Sequence, residues 1–221
     1  MKKILSALLV LCMVLSLTVS TVCAEGYTGF REDRPGATAS AKTTAEAIKE
    51  ESASKPTSTS GLRITNYDKP YAIKVDTTNQ VVTIFSKGTS GDYDVIFKQF
   101  ICSTGTKSNP TPAGTFKLSD AERKVWRYFK TYKTYVKYAV HIKGDYFFHS
   151  CLYSKPSEDT KYRSSSSVKK LGTKASHGCI RLYDSDCQWM FENCEAGTIV
   201  YVCDCEKDSA LNKTLKENVG K

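Results

Sequence analysis

Tyr71-Ala72-Ile73-Lys74-Val75-Asp76-Thr77-Thr78-Asn79-Gln80-Val81-Val82-Thr83-Ile84-Phe85 is the stretch on which the fold turns. Its first five residues alternate apolar and polar, Asp76 to Asn79 are turn formers, and Val81 to Phe85 are β-branched or aromatic. That is a strand, a turn and a second strand. Downstream, Asp94 to Cys102 and Gly114 to Leu118 read as further strands. The span from Val125 to Ile142 is dense in Tyr, Val and Trp. Tyr146 to His149 resembles a short buried strand, and Thr198 to Val202 closes the series. One helix stands out: Asp184 or Ser185 can cap it, Trp189, Met190 and Phe191 give it an apolar side, and Gly197 can stop it. The expectation is a mostly β domain with one late helix over residues 62–205, and a polar tail over 206–221. Residues 25–61 lack apolar periodicity and are rich in Ser, Thr, Ala, Lys and Glu, as expected of a flexible linker.

The first 24 residues read differently. Met1-Lys2-Lys3 is a short basic start, Ile4 to Val19 is almost continuously apolar, and Thr21-Val22-Cys23-Ala24 offers a cleavage site after Ala24. This is the layout of a secretory signal peptide, and it implies an exported protein, wall-associated or secreted. An uncleaved anchor is the rival reading, but the run is short against the roughly 20 apolar residues of a membrane span. The chain carries a net charge of +9, which falls to +7 once Lys2 and Lys3 leave with the signal. A positive exported protein suits an anionic cell envelope. Nucleic acid is not expected as a partner, since export and the lack of zinc-finger or RNA-binding signatures argue against it. Of nine cysteines, Cys12 and Cys23 fall in the signal and seven remain. An odd number in an exported chain suggests one working thiol plus structural partners. Cys203 with Cys205, and Cys187 with Cys194, look like poor disulfide partners at their spacings.

Ser176-His177-Gly178-Cys179-Ile180-Arg181-Leu182 carries the chemistry. A working cysteine needs a base or an electropositive setting, because the thiolate is the nucleophile. Gly178 permits a close backbone approach, which lets N–H groups converge on an oxyanion. The general base is sought among three histidines, His141, His149 and His177. His149 ends an apolar run and is remote in sequence from Cys179, as partners brought together by a fold often are.

These residues resemble the L,D-transpeptidase catalytic domain family (YkuD-like). Phe148-His149-Ser150 precedes the cysteine motif. Cys102-Ser103-Thr104-Gly105 with Thr111-Pro112-Ala113-Gly114-Thr115-Phe116 matches the family's STG…TPxGTF segment. Asn193 to Thr198 is similar to the end of its late helix. The resemblance covers about residues 71–202. It implies a β-sandwich or barrel-like domain and a peptidoglycan stem peptide as substrate. Cys179 would attack the carbonyl of the third residue of a donor tetrapeptide and expel D-alanine, and an acceptor amine would resolve the thioester. By the same carry-over His149 is the base, Ser150 orients it, and His177, Gly178 and Cys179 border the oxyanion site. Arg181 binds a stem carboxylate or braces the loop, Ser176 contacts substrate, and Trp126, Tyr128 and Tyr132 lie where the family has its substrate cap, to line the peptide groove or, for at least one of them, to pack in the core. No cofactor and no metal are implied, and the chain is expected to act as a monomer. Two departures stand out: Ser150 to Ala175 is long, as for a flexible lid, and Cys151 lies outside the family's catalytic pattern.

A sortase-like protein transpeptidase also needs exported Cys, His and Arg, but Arg181 follows its cysteine too closely. A wall-binding module with a degenerate site is the non-enzymatic alternative, and the intact motif weighs against it. A zinc site is disfavoured because no CxxC pair is present.

Overall fold

A computed structural model describes residues 55–220. The signal peptide expected over 1–24 and most of the linker expected over 25–61 lie outside the described residues. The strands are β1 (Tyr71–Asp76), β2 (Val81–Ser86), β3 (Val95–Ser103), β4 (Gly114–Lys117), β5 (Ser119–Phe129), β6 (Thr134–Lys143), β7 (Tyr146–His149), β8 (Ile180–Leu182) and β9 (Ile199–Cys203). They form one sheet in the order β4-β9-β1-β2-β3-β8-β7-β6-β5. The helices are α1 (Ser165–Lys169), α2 (Asp184–Asn193) and α3 (Ser209–Glu217). The domain is therefore mostly β, as its alternation predicts.

The centre of the sheet is buried on both faces. Along β1, Ile73 and Val75 point into one core with Val82, Ile84, Phe148, Ile180, Leu182 and Met190. Ala72 faces the opposite side, where Leu62, Ile64, Phe85, Tyr93 and Ile199 pack. Lys74, on the Ala72 face, is also buried, and its ammonium donates to the Ser60 carbonyl at 3.1 Å. Each fully buried Phe or Ile contributes about 1.5–3 kcal/mol relative to exposure, so this double-sided burial makes β1 and β2 a firm base.

Several local expectations change. The N-cap of α2 is Tyr183, without a side-chain bond, while Asp184 lies in the first turn and accepts from Tyr153 and Arg163. The helix ends at Asn193, before Gly197, and Arg123 serves the carbonyls left at that end, taking those of Phe191 and Cys194 at 2.6 and 2.8 Å. The stretch read as a polar tail contains α3. Asp208 caps it by accepting from the Leu211 N–H, and Asn212 donates to the Asn79 carbonyl at 2.6 Å. Residues 56–60, placed in the linker by composition, lie against the β1–β2 turn: Thr83 donates to the Ser58 carbonyl and Glu206 to that of Pro56. The long segment after His149 is a folded wall. Tyr153 pairs with Tyr135 and Arg163, Ser164 caps α1, and Tyr153 and Leu171 are buried.

Cys102, Cys151, Cys179, Cys187, Cys194 and Cys205 carry free thiols. Cys203 and Cys205, expected to be poor disulfide partners, have their sulfurs 3.2 Å apart, close but beyond disulfide bonding distance. The strand ends at Cys203, so the spacing rule for two residues on one strand no longer governs the pair.

Candidate active site

The site is built where β7 and β8 run parallel. Phe148 pairs with Ile180 and His149 with Arg181, while β3 flanks β8 on its other side through Ser103 and Arg181. Cys179 therefore sits at the entrance to β8, next to the strand that ends in His149.

The turn leading to Cys179 is braced from two directions. The Ser176 hydroxyl accepts from the Gly178 N–H at 3.1 Å and donates to the Cys179 carbonyl at 2.5 Å. Thr111 accepts from the Gly105 N–H at 2.9 Å and donates to the Gly178 carbonyl at 2.7 Å. Backbone bonds from Ala175 and Ser176 to the Thr104 carbonyl, and from Thr106 to the Ser176 carbonyl, complete the clamp. Gly178 has φ +115°, and a Cβ there would meet the Tyr146 ring at 2.3 Å, so only glycine fits.

Cys179 and His149 line one cavity of about 590 Å³. His149 is 3% exposed, and its Nδ1 lies 2.7 Å from the Ser150 carbonyl. A carbonyl only accepts, so Nδ1 carries the proton and the neutral ring keeps a lone pair on Nε2. Burial first, then the nearby Arg181 charge, lowers the His149 pKa to about 3, against the opposing Ser150 hydrogen bond. The imidazole is therefore neutral at rest. Burial pushes the Cys179 thiol up, while the Phe147 backbone N–H, Arg181 and Arg127 favour its thiolate. The S–H itself points to the Asp145 carbonyl at 3.5 Å. A neutral thiol and a neutral imidazole on the walls of one cavity suit a proton transfer coupled to attack on a carbonyl.

Residues 70–202, more than half of the chain, match the family model described as the L,D-transpeptidase catalytic domain, YkuD. The chain belongs to this family. A Bacillus subtilis (strain 168) protein provisionally named L,D-transpeptidase YciB is 39% identical over 99 residues, which cover 44% of this chain and 48% of that protein. The match thus spans about half the length of that curated relative. Among solved structures, an L,D-transpeptidase from Mycobacterium smegmatis is 20% identical with a TM-score of 0.47, covering 65% of each chain. One from Stackebrandtia nassauensis is 21% identical with a TM-score of 0.46, covering 63% of this chain and 58% of that one. At such scores these likenesses add nothing to the family assignment.

Within this L,D-transpeptidase domain, Cys179, His149, His177, Ser176 and Arg181 all line the cavity. Ser176, expected as a substrate contact, lines the cavity but is buried, and its hydroxyl braces the cysteine turn. The Gly178 N–H is likewise engaged by Ser176. The Ser150 hydroxyl bonds the backbone of Lys137 and Cys151. His177 is exposed and stacks on Tyr132 at 4.6 Å, tying the β5–β6 turn to the cysteine loop. His141 lies outside the cavity and bonds the Gly144 carbonyl. Trp126 packs edge-on against Tyr153 of the wall segment at 5.2 Å and does not line the cavity. Sequence reasoning missed Thr111, Tyr146 and Arg127 as site residues. The TPAGTF motif contained a signal for Thr111; a lone arginine or tyrosine in a strand carries none. Among the described residues no His, Cys, Asp and Glu cluster is arranged to hold a metal.

Proposed function

We propose that the protein is a peptidoglycan L,D-transpeptidase, with Cys179 as nucleophile and His149 as general base. The observation that supports this most is the cavity shared by Cys179 and a buried His149 whose Nδ1–H is held on the Ser150 carbonyl. As Cys179 Sγ attacks the carbonyl of the third residue of a donor tetrapeptide, its proton passes to His149 Nε2. Backbone N–H groups beside the cysteine, other than the one Ser176 takes from Gly178, hold the developing oxyanion. The imidazolium so formed is destabilised by burial and by Arg181, so it readily returns its proton to the departing D-alanine amine. The thioester stores the acyl group. An acceptor stem amine then gives its proton to His149, attacks the thioester and restores the thiol, leaving a new amide cross-link.

The protein is proposed to act outside the membrane after cleavage following Ala24, where its positive charge favours the anionic envelope. N-terminal sequencing of the secreted or wall fraction is expected to begin at Glu25. Incubating the purified protein with tetrapeptide stems should release D-alanine and yield stem dimers, with a mass adduct on Cys179. Release of D-alanine by Cys179→Ala, or reaction with a protein sorting peptide and not with stems, refutes the reading.

A further inference from the structure

The base and the nucleophile reach the cavity on different strands, and little backbone holds those strands in register. β7 has four residues and β8 three, and two pairs join them, Phe148 with Ile180 and His149 with Arg181. A strand rises about 3.3 Å per residue, so a slide of β7 against β8 carries His149 past Cys179. Beyond the last pair a side-chain junction takes over. Tyr153 stands four residues after His149, and Asp184 five after Cys179. The hydroxyl of the buried Tyr153 donates to Asp184 Oδ2, and Arg163 Nη1 donates to the same oxygen at 3.1 Å. Asp184 Oδ1 is buried without a partner. A carboxylate that takes two donors on one oxygen and leaves the other unserved is poorly arranged for stability alone, and fixing register is the best-attested use of such buried polar junctions.

We infer that Tyr153, Asp184 and Arg163 form a clamp that sets the register of the His149 strand against the Cys179 strand. They are positioning residues, since none of them lines the cavity. The inference rests on the reading of Cys179 and His149 above and deepens it. The run from His149 to Tyr153 carries the Ser150 carbonyl that fixes the His149 tautomer. β6 holds this run from one side: Ser150 donates to the Lys137 carbonyl at 3.0 Å, and the backbones of Tyr153 and Tyr135 exchange bonds at 2.8 and 2.9 Å. The clamp holds it from the β8 side, where the Cys151 thiol also points to the Leu182 carbonyl at 3.6 Å. Asp184 follows β8 directly, behind Leu182 and Tyr183, so its carboxylate moves with the strand that Cys179 enters. A shift of about 1 Å at a reacting group can cost on the order of a hundredfold in rate. Loss of the clamp therefore lowers kcat and leaves stem binding alone.

The test compares the full chain with Tyr153→Phe, Asp184→Ala, the two combined, and Glu158→Gln. The last is the control: it loosens the same wall segment at its ion pair with Lys137, away from the clamp. Kinetics of D-alanine release from tetrapeptide stems are measured at a temperature where circular dichroism shows each variant folded. Tyr153→Phe and Asp184→Ala are each expected to lower kcat by about tenfold or more with KM unchanged. The combined variant should lose no more than Asp184→Ala, because both remove one junction, and Glu158→Gln should keep kcat. With isotope-labelled histidine, the Nδ1–H resonance of His149, held downfield by the Ser150 carbonyl, should move in Tyr153→Phe and stay in Glu158→Gln. Tyr153→Phe carries the test alone if Asp184→Ala does not fold. An unchanged kcat in Tyr153→Phe, an equal loss in Glu158→Gln, additive losses in the combined variant, or an unmoved His149 resonance overturns the inference and leaves the transpeptidase reading intact. A wild-type protein that releases no D-alanine refutes that reading instead, and the His149 resonance then decides the clamp by itself.

Discussion

His149→Ala should flatten the acid side of the stability curve. In the unfolded chain the imidazole takes a proton at about 6.5, whereas burial and Arg181 hold the folded pKa down to about 3. Between these values the unfolded state binds more protons, so stability rises with pH from about 3 to 6.5 and is flat above. Moving from about pH 7.5 to about pH 5 therefore removes roughly 2 kcal/mol, being about 1.5 pH units at about 1.36 kcal/mol each. Asp186 acts in the opposite sense. Burial raises its carboxyl to about 6, against Lys98, so it adds stability as pH falls. It is present in both proteins and cancels in the comparison. Urea unfolding of wild type and variant at the two pH values measures the difference directly. With a slope near 2 kcal/mol/M, the wild-type midpoint should fall by about 1 M more than that of the variant. Parallel curves would show that His149 does not stay neutral in the folded protein, and the proton-transfer scheme would fail with it.

Gly178→Ala should lower acylation by more than tenfold, since a Cβ displaces Tyr146 and strains a φ of +115°. Unchanged turnover in a stopped-flow assay would remove the tight-turn argument. A carbapenem should leave a single adduct, at Cys179, by intact mass and peptide mapping. Burial drives Cys151 and Cys194 up to about 12 and raises Cys102 and Cys187 as well, so these stay thiols; an adduct on any of them with Cys179 untouched would overturn the assignment. If the exported protein contains an oxidised pair, non-reducing mapping should find it between Cys203 and Cys205, whose sulfurs are 3.2 Å apart. A different pairing would contradict the geometry.

Sequence alone determined the β-rich class, because alternation along β1, β2, β7 and β9 is a local consequence of burying one or both faces of a strand. It also singled out Cys179 and His149, because a nucleophile motif and an apolar run ending in histidine are visible one residue at a time. It missed β8, whose three residues are too few for a period to show. It missed α3 although Leu211, Leu215 and Val219 recur every four residues behind a capping Asp208, because polar neighbours masked the stripe. What only the tertiary structure decided is how each polar side chain is used. The Ser176 hydroxyl is used by the turn that carries Cys179, and the Trp126 ring packs on Tyr153 outside the cavity. Arg127 carries no local signal at all, yet it reaches the cavity of a cysteine 52 positions later in the chain. Pattern along the chain reports which face of an element is buried. Which partner satisfies a buried donor depends on segments distant in sequence, and only folding brings those together.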